Sequence, residues 1–141
     1  MRVIVIGGTG TIGSAVVKRL STRHEVVVVG HKKGTFQVDL ASPDSITSLF
    51  KAVGTCDAVV STAGVAKFAS LDDLTYDDYF IGLKNKLMGQ ANLVRIGKPF
   101  VTNHGSFTLT SGVLSQNPMK GSCAISMVNA GLEGFVRAAA I

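Results

Sequence analysis

The 141-residue chain has no tryptophan, two tyrosines, two cysteines and three prolines, and only 16% of its residues are charged. Each scarcity excludes something. With aromatics at 6%, there is no series of stacking platforms for nucleic-acid bases, and no nucleic-acid partner is expected. Cys56 and Cys123 lack Cys-x-x-Cys spacing and stand in apolar company, so both are expected as small buried thiols, with no disulfide and no metal site. No apolar run approaches the roughly 18 residues that a membrane span requires. The short run Val3-Ile4-Val5-Ile6 meets glycines and not a cleavage site, so it does not read as a signal peptide, and a cytoplasmic chain without a membrane partner is expected. What is abundant is apolar residue, at 46%. A chain this long buries roughly two thirds of its unfolded surface, enough for a core.

The apolar residues fall into two patterns. Val3–Ile6 and Val26–Val29 are continuous runs, as in strands buried on both faces of a parallel sheet, and Asp57–Val60 reads as a fourth strand. Between them Ala15, Val16 and Leu20, and then Ile46, Leu49, Phe50 and Val53, recur at helical spacing. Ser42 before Pro43 is a helix start, Gly54 a stop, and Thr75 with Asp78 a capping pair ahead of a long helix through Phe80, Leu83, Leu87, Ala91 and Val94. Phe36–Asp39 reads as a short third strand, Asn103-His104-Gly105 as a turn, Ser106–Thr110 as a fifth strand and Asn117–Ile141 as mostly helical. Strands alternating with helices and joined by right-handed crossovers predict an α/β fold. The expected architecture is a Rossmann-type doubly wound parallel sheet in three layers, strand order 3-2-1-4-5, forming one domain over residues 1–141.

Gly7, Gly10 and Gly13 lie between the first strand and the first helix. In that context glycines let the backbone approach a pyrophosphate, and the helix N-terminus favours the anion. Residues Gly7, Thr9, Gly10, Thr11, Ile12 and Gly13 are therefore the expected dinucleotide loop. No Gly-Lys-Ser/Thr follows, which disfavours a P-loop. The net charge of +5 arises within residues 1–35, where six basic residues face Glu25 alone, a field suited to a phosphate-bearing ligand. After the second strand the chain reads Gly30-His31-Lys32-Lys33, with no acidic residue to exclude a 2′-phosphate. His31, Lys32 and Lys33 thus favour NADP over NAD, with an exposed basic turn as the alternative.

These motifs resemble the short-chain dehydrogenases/reductases over nearly the whole chain. Asp39-Leu40 resembles that family's adenine-contacting pair, and Ser61-Thr62-Ala63-Gly64 its Asn-Asn-Ala-Gly segment, which implies that Asp39, Leu40, Thr62, Ala63 and Gly64 contact cofactor. Lys86-Leu87-Met88-Gly89 resembles the Asn-Leu-x-Gly segment, and Leu109-Thr110-Ser111-Gly112 the strand end bearing the catalytic serine. The family uses a tyrosine as acid/base, a lysine beyond it after three intervening residues, a serine that polarises the carbonyl, and an asparagine in a proton relay. In register, Ile125 and Asn129 replace the tyrosine and the lysine, and Lys86 replaces the asparagine, with Asn85 one residue out of register. Ile125 has no proton to give and Asn129 no charge.

The resemblance therefore implies an atypical NADP-dependent oxidoreductase acting on a small carbonyl or alcohol, with Ser111 and Lys86 as its catalytic candidates. A solvated helix lysine is the alternative for Lys86. A non-catalytic dinucleotide-binding module is the rival reading of the whole chain. The chain ends in Ala138-Ala139-Ala140-Ile141 without a helix stop, so a truncated C-terminal part is expected. A homo-oligomer through helices 80–96 and 118–141 is also implied by the resemblance.

Overall fold

The computed structural model describes all residues from Met1 to Ile141. Strand β1 (Arg2–Ile6) has Ile4, Val5 and Ile6 wholly out of solvent, as a continuous apolar run demands of a central strand. It pairs in parallel with β2 (Glu25–Gly30) on one side and β4 (Cys56–Ser61) on the other. Strand β3 (Phe36–Gln37) extends the sheet beyond β2, and β5 (Val101–Leu109) beyond β4, giving the order 3-2-1-4-5, all parallel.

Two hydrophobic layers flank this sheet. Helix α1 (Thr11–Leu20) sets Val16, Val17 and Leu20 against Val3, Val5 and Ala58 on one face. On the other, α2 (Pro43–Val53) buries Ile46, Leu49, Phe50 and Val53 against Ile4, Ile6, Val29 and Val59, with Leu93 from α4 (Gly89–Gly97) joining them. Phe50 stacks on Phe100 at 5.6 Å between centroids. A Cβ on Gly97 would lie 2.4 Å from the Phe50 ring, so only glycine lets α4 pack this closely. The Ser42 side chain caps α2, and Thr75 with Asp78 forms a capping box at the start of α3 (Tyr76–Gly82), as their spacing predicts. Between α3 and α4 the helix continues through one widened turn of i→i+5 hydrogen bonding at Leu83–Met88.

Four expectations are corrected. Asn103-His104-Gly105 is not a turn between elements but an irregularity inside β5, where the pairing steps from Cys56↔Val101 to Ala58↔Ser106 and His104 adopts φ 71°. Gly105 is required there, because a Cβ would fall 2.3 Å from Val101 and 2.6 Å from the Asp57 carbonyl. β3 stops at Gln37, since the Asp39 carboxylate accepts the Ala41 N–H (2.9 Å) and turns the chain. The last helix, α5, runs only over Cys123–Ala139. Cys123, in its first turn, is exposed, whereas Cys56 is buried as expected; both are free thiols.

Candidate functional site

The carboxyl ends of β1, β4 and β2 open onto the glycine loop. The N–H groups of Gly7 and Gly8 donate to the Val29 carbonyl (2.8 and 3.0 Å) and that of Gly10 to Gly7 (2.9 Å), so the chain turns sharply between β1 and α1. Gly7 has φ +79°, in the left-handed region that favours glycine. At Gly13 a Cβ would sit 2.0 Å from the Gly7 carbonyl oxygen, so α1 can approach the loop only without one. Helices α2 and α3 are capped by side chains, but α1 begins at Gly10 with no side-chain cap. The N–H groups of Thr11, Ile12 and Gly13 make no backbone hydrogen bond. Free N–H groups at the positive end of a helix fit an anion such as a pyrophosphate.

In front of this loop lies a groove of about 470 Å³. Among the expected cofactor residues Gly7, Thr9, Gly10, His31, Leu40, Thr62, Ala63 and Gly64 line it; Ile6, Gly30, Val38, Val65 and Asn85 complete it. Thr11, Ile12 and Gly13 do not line it; they form the first turn of α1, which begins directly after the lining residue Gly10. The side chains of Lys32 and Lys33 stand exposed on the tight turn after β2 and do not line the groove. Asp39 is also outside it, with its carboxylate used locally.

The N-terminal positive field is narrower than the sequence suggests. Arg2 lies at the opposite end of β1, where it pairs with Glu25 (3.0 Å) and donates to the Val53 carbonyl (2.7 Å). Lys18, Arg19 and Arg23 are exposed on or after the last turn of α1. Only the turn at His31–Lys33 places basic groups beside the groove.

A second cluster forms where the widened helical turn meets the end of β5. Lys86 is half-buried, not solvated: its Nζ donates to the Ser111 carbonyl (2.9 Å) and to Asn129 Oδ1 (2.7 Å). Its stem lies on Gly64, where a Cβ would come within 2.6 Å of Lys86 Cγ. One turn on, the buried Gln90 donates to the Thr110 carbonyl and accepts the Thr110 N–H, each at 3.0 Å. Two side chains of one helix thus grip consecutive residues and fix Ser111. Asn85 faces the groove, where its Oδ1 accepts the Val65 N–H (2.9 Å). Asn85 and Lys86 thus serve different places: Asn85 the groove wall and Lys86 the Ser111 side.

Ser111 Oγ donates to Glu133 Oε1 (2.6 Å), and Ser115 Oγ donates to the same oxygen. These two hydroxyls hold the Glu133 carboxyl below the usual carboxylate range, with Arg137 adding to the effect. Burial holds the Lys86 ammonium below the usual lysine range. No carboxylate pairs with it. Sequence reasoning missed Gln90 and Glu133 and assigned Asn129 only a loss. The contacts that give them their roles span 20 to 43 positions and carry no local spacing signal.

The parallel sheet, the glycine corner and the groove at its carboxyl edge define a Rossmann-type protein built as the short-chain dehydrogenases/reductases are. Residues 3–113 match the model of the NAD dependent epimerase/dehydratase family. The chain belongs to that family, whose short-chain dehydrogenase/reductase-like members are NAD(P)-binding oxidoreductases. The structure is similar to that of the protein lin1944 from Listeria innocua, with a TM-score of 0.98 and 38% identity, covering 99% of this chain and 70% of that one. It also resembles a small-chain dehydrogenase in complex with NADPH, with a TM-score of 0.91 and 27% identity, covering 99% and 64% of the two chains. Carbonyl reductase family member 4 of Danio rerio is 26% identical over 158 aligned positions, covering 97% of this chain and 67% of that protein. The chain thus spans about two thirds of the length of these relatives. No helix is long and apolar enough to cross a membrane.

Proposed function

We propose that the chain binds NADP(H) in the groove before Gly7–Gly13 and serves hydride transfer on a small carbonyl or alcohol, with Ser111 and Lys86 beside the reacting oxygen. The observation that carries this reading is the uncapped N-terminus of α1, which opens from Gly10 in the groove lining and leaves the N–H groups of Thr11, Ile12 and Gly13 without backbone partners. The basic turn at His31, Lys32 and Lys33, with no acidic residue, suits a 2′-phosphate better than a bare ribose and supports NADP over NAD. The relative crystallised with NADPH adds to it.

The dinucleotide, when bound, supplies or accepts the hydride. The rest falls to the chain. Of the three N–H groups on an ammonium, Lys86 spends two on Ser111 and Asn129, leaving one for a ligand oxygen. Because its acceptors are neutral and burial weakens its hold on the proton, Lys86 can give that proton to an oxygen that is becoming an alcohol. Ser111 Oγ, its own proton held by Glu133 and one lone pair taken by the Gly112 N–H, has one lone pair left for the alcohol form of a substrate. Redirecting that proton to a carbonyl requires the Glu133 bond to open.

The commitment of the Ser111 proton, with Ile125 and Asn129 where acid/base groups would stand, favours one rival: a module that binds dinucleotide without turnover. Following NADPH consumption with a panel of ketones and quinones separates the two. Turnover lost in Ser111→Ala supports the enzyme; NADPH binding without turnover on any of them supports the module. The exposed Met88, Met127 and Val136 on α5 and the helical turns before α4 support, as part of the same proposal, a homo-oligomer formed through these helices.

A further inference from the structure

Asn129 is a polar residue in an apolar helix face, 1% exposed, with Val128 and Leu132 buried beside it. Burying an amide is costly unless its hydrogen bonds are made. Its Oδ1 is satisfied by Lys86 Nζ at 2.7 Å, from a residue on a different helix 43 positions away. Its Nδ2 packs on the turn after β5, where a Cβ on Gly112 would come within 2.7 Å. The amide thus touches both the ammonium and the corner that carries Ser111.

An aspartate would fit the same space and would bind an ammonium more strongly. It would also neutralise it. The charged groups on the elements packed against Lys86 are Asp77 and Asp78 of α3, Arg95 of α4, and Glu133 and Arg137 of α5, with Lys84 on its own turn. No carboxylate among them is within ion-pairing distance, and Glu133, one turn from Asn129, is taken up by Ser111 and Ser115.

We infer that Asn129 is a positioning residue whose neutral amide fixes the Lys86 ammonium beside Ser111 without cancelling its charge, leaving that charge for an oxygen-bearing group of a ligand that reaches past Gly64. This rests on the role proposed for Lys86 above. It gives Asn129 a function that the loss of a lysine from that position conceals.

The test is the titration of Lys86 in the full chain labelled with 13Cε-lysine, assigned with Lys86→Met. Asn129→Asp, which keeps the side-chain shape, raises the proton affinity of Lys86 about tenfold or more, as an adjacent opposite charge does. An unchanged midpoint in folded Asn129→Asp overturns the inference. Asn129→Ser, which makes little demand on packing, is the second variant. It collapses the inequivalence of the two Lys86 Hε protons that reports a fixed side chain; persistence of that inequivalence overturns the inference too. NADPH titration of the wild-type protein separates this inference from the proposed function. If NADPH fails to bind while the Lys86 midpoint still moves in Asn129→Asp, the cofactor reading fails and the positioning of Lys86 by Asn129 stands.

Discussion

The hydroxyl of Ser111 donates to Glu133 Oε1 at 2.6 Å, and Ser115 donates to the same oxygen, so one carboxylate collects the protons of two serines. The folded state thereby depresses the Glu133 pKa below its unfolded value. A depressed carboxylate contributes stability that is present above the unfolded pKa and is lost as pH falls through the folded one. Melting temperatures compared at about pH 7 and about pH 3, which bracket the ordinary glutamate range, are expected to differ less in Glu133→Gln than in the wild-type protein. An equal acid loss in both would show that this carboxylate is not coupled to folding.

Gln90 pairs with both backbone groups of Thr110 and is wholly buried. Gln90→Leu keeps the bulk but strands an N–H and a C=O, at about 1–3 kcal/mol for each unsatisfied group. Urea unfolding should show a lower midpoint with an unchanged slope. Because Gln90 and Lys86 hold adjacent residues, the same variant should also increase hydrogen exchange at Ser111 and Gly112.

Much of the fold was readable because burial on both faces leaves a continuous apolar run. Val3–Ile6 and Val26–Val29 identify themselves, and Ser42-Pro43 marks the start of α2. The first half of β5 did not, since Asn103-His104-Gly105 has turn chemistry, which the structure uses inside a strand to absorb extra residues. The glycine corner was legible because its constraint is local: Gly13 must lack a Cβ that would meet Gly7. The Lys86 cluster was legible only in part. Ser111 and Lys86 could be placed by resemblance, but no spacing rule shows that Lys86 meets Asn129, or that a widened turn lets Asn85 and Lys86 serve different walls.

The glycine loop supplies a graded prediction. Gly13→Ala forces a Cβ to within 2.0 Å of the Gly7 carbonyl oxygen, and two backbones must separate. It should destabilise the protein by about 1–3 kcal/mol, as overpacking does, and abolish NADPH binding. Gly10→Ala meets the same oxygen at 3.3 Å and should weaken binding less. Thermal melts with and without NADPH read both effects. Equal behaviour of the two variants would separate the loop from the ligand.

At the basic turn, Lys32→Glu with Lys33→Glu places negative charge where a 2′-phosphate would lie. NADPH affinity should fall by about tenfold or more, the scale of one lost charge-assisted hydrogen bond to a phosphate, while NADH affinity changes little. A parallel fall for both cofactors would remove this turn from cofactor selection.

The proposed function depends first on NADP(H) binding in the groove before Gly7–Gly13. Titration of the 141-residue chain with NADPH and with NADH, followed by the nicotinamide fluorescence, tests this binding. Saturable binding of one dinucleotide per chain, tighter for NADPH than for NADH, is the predicted result. A folded protein that binds neither dinucleotide would contradict it.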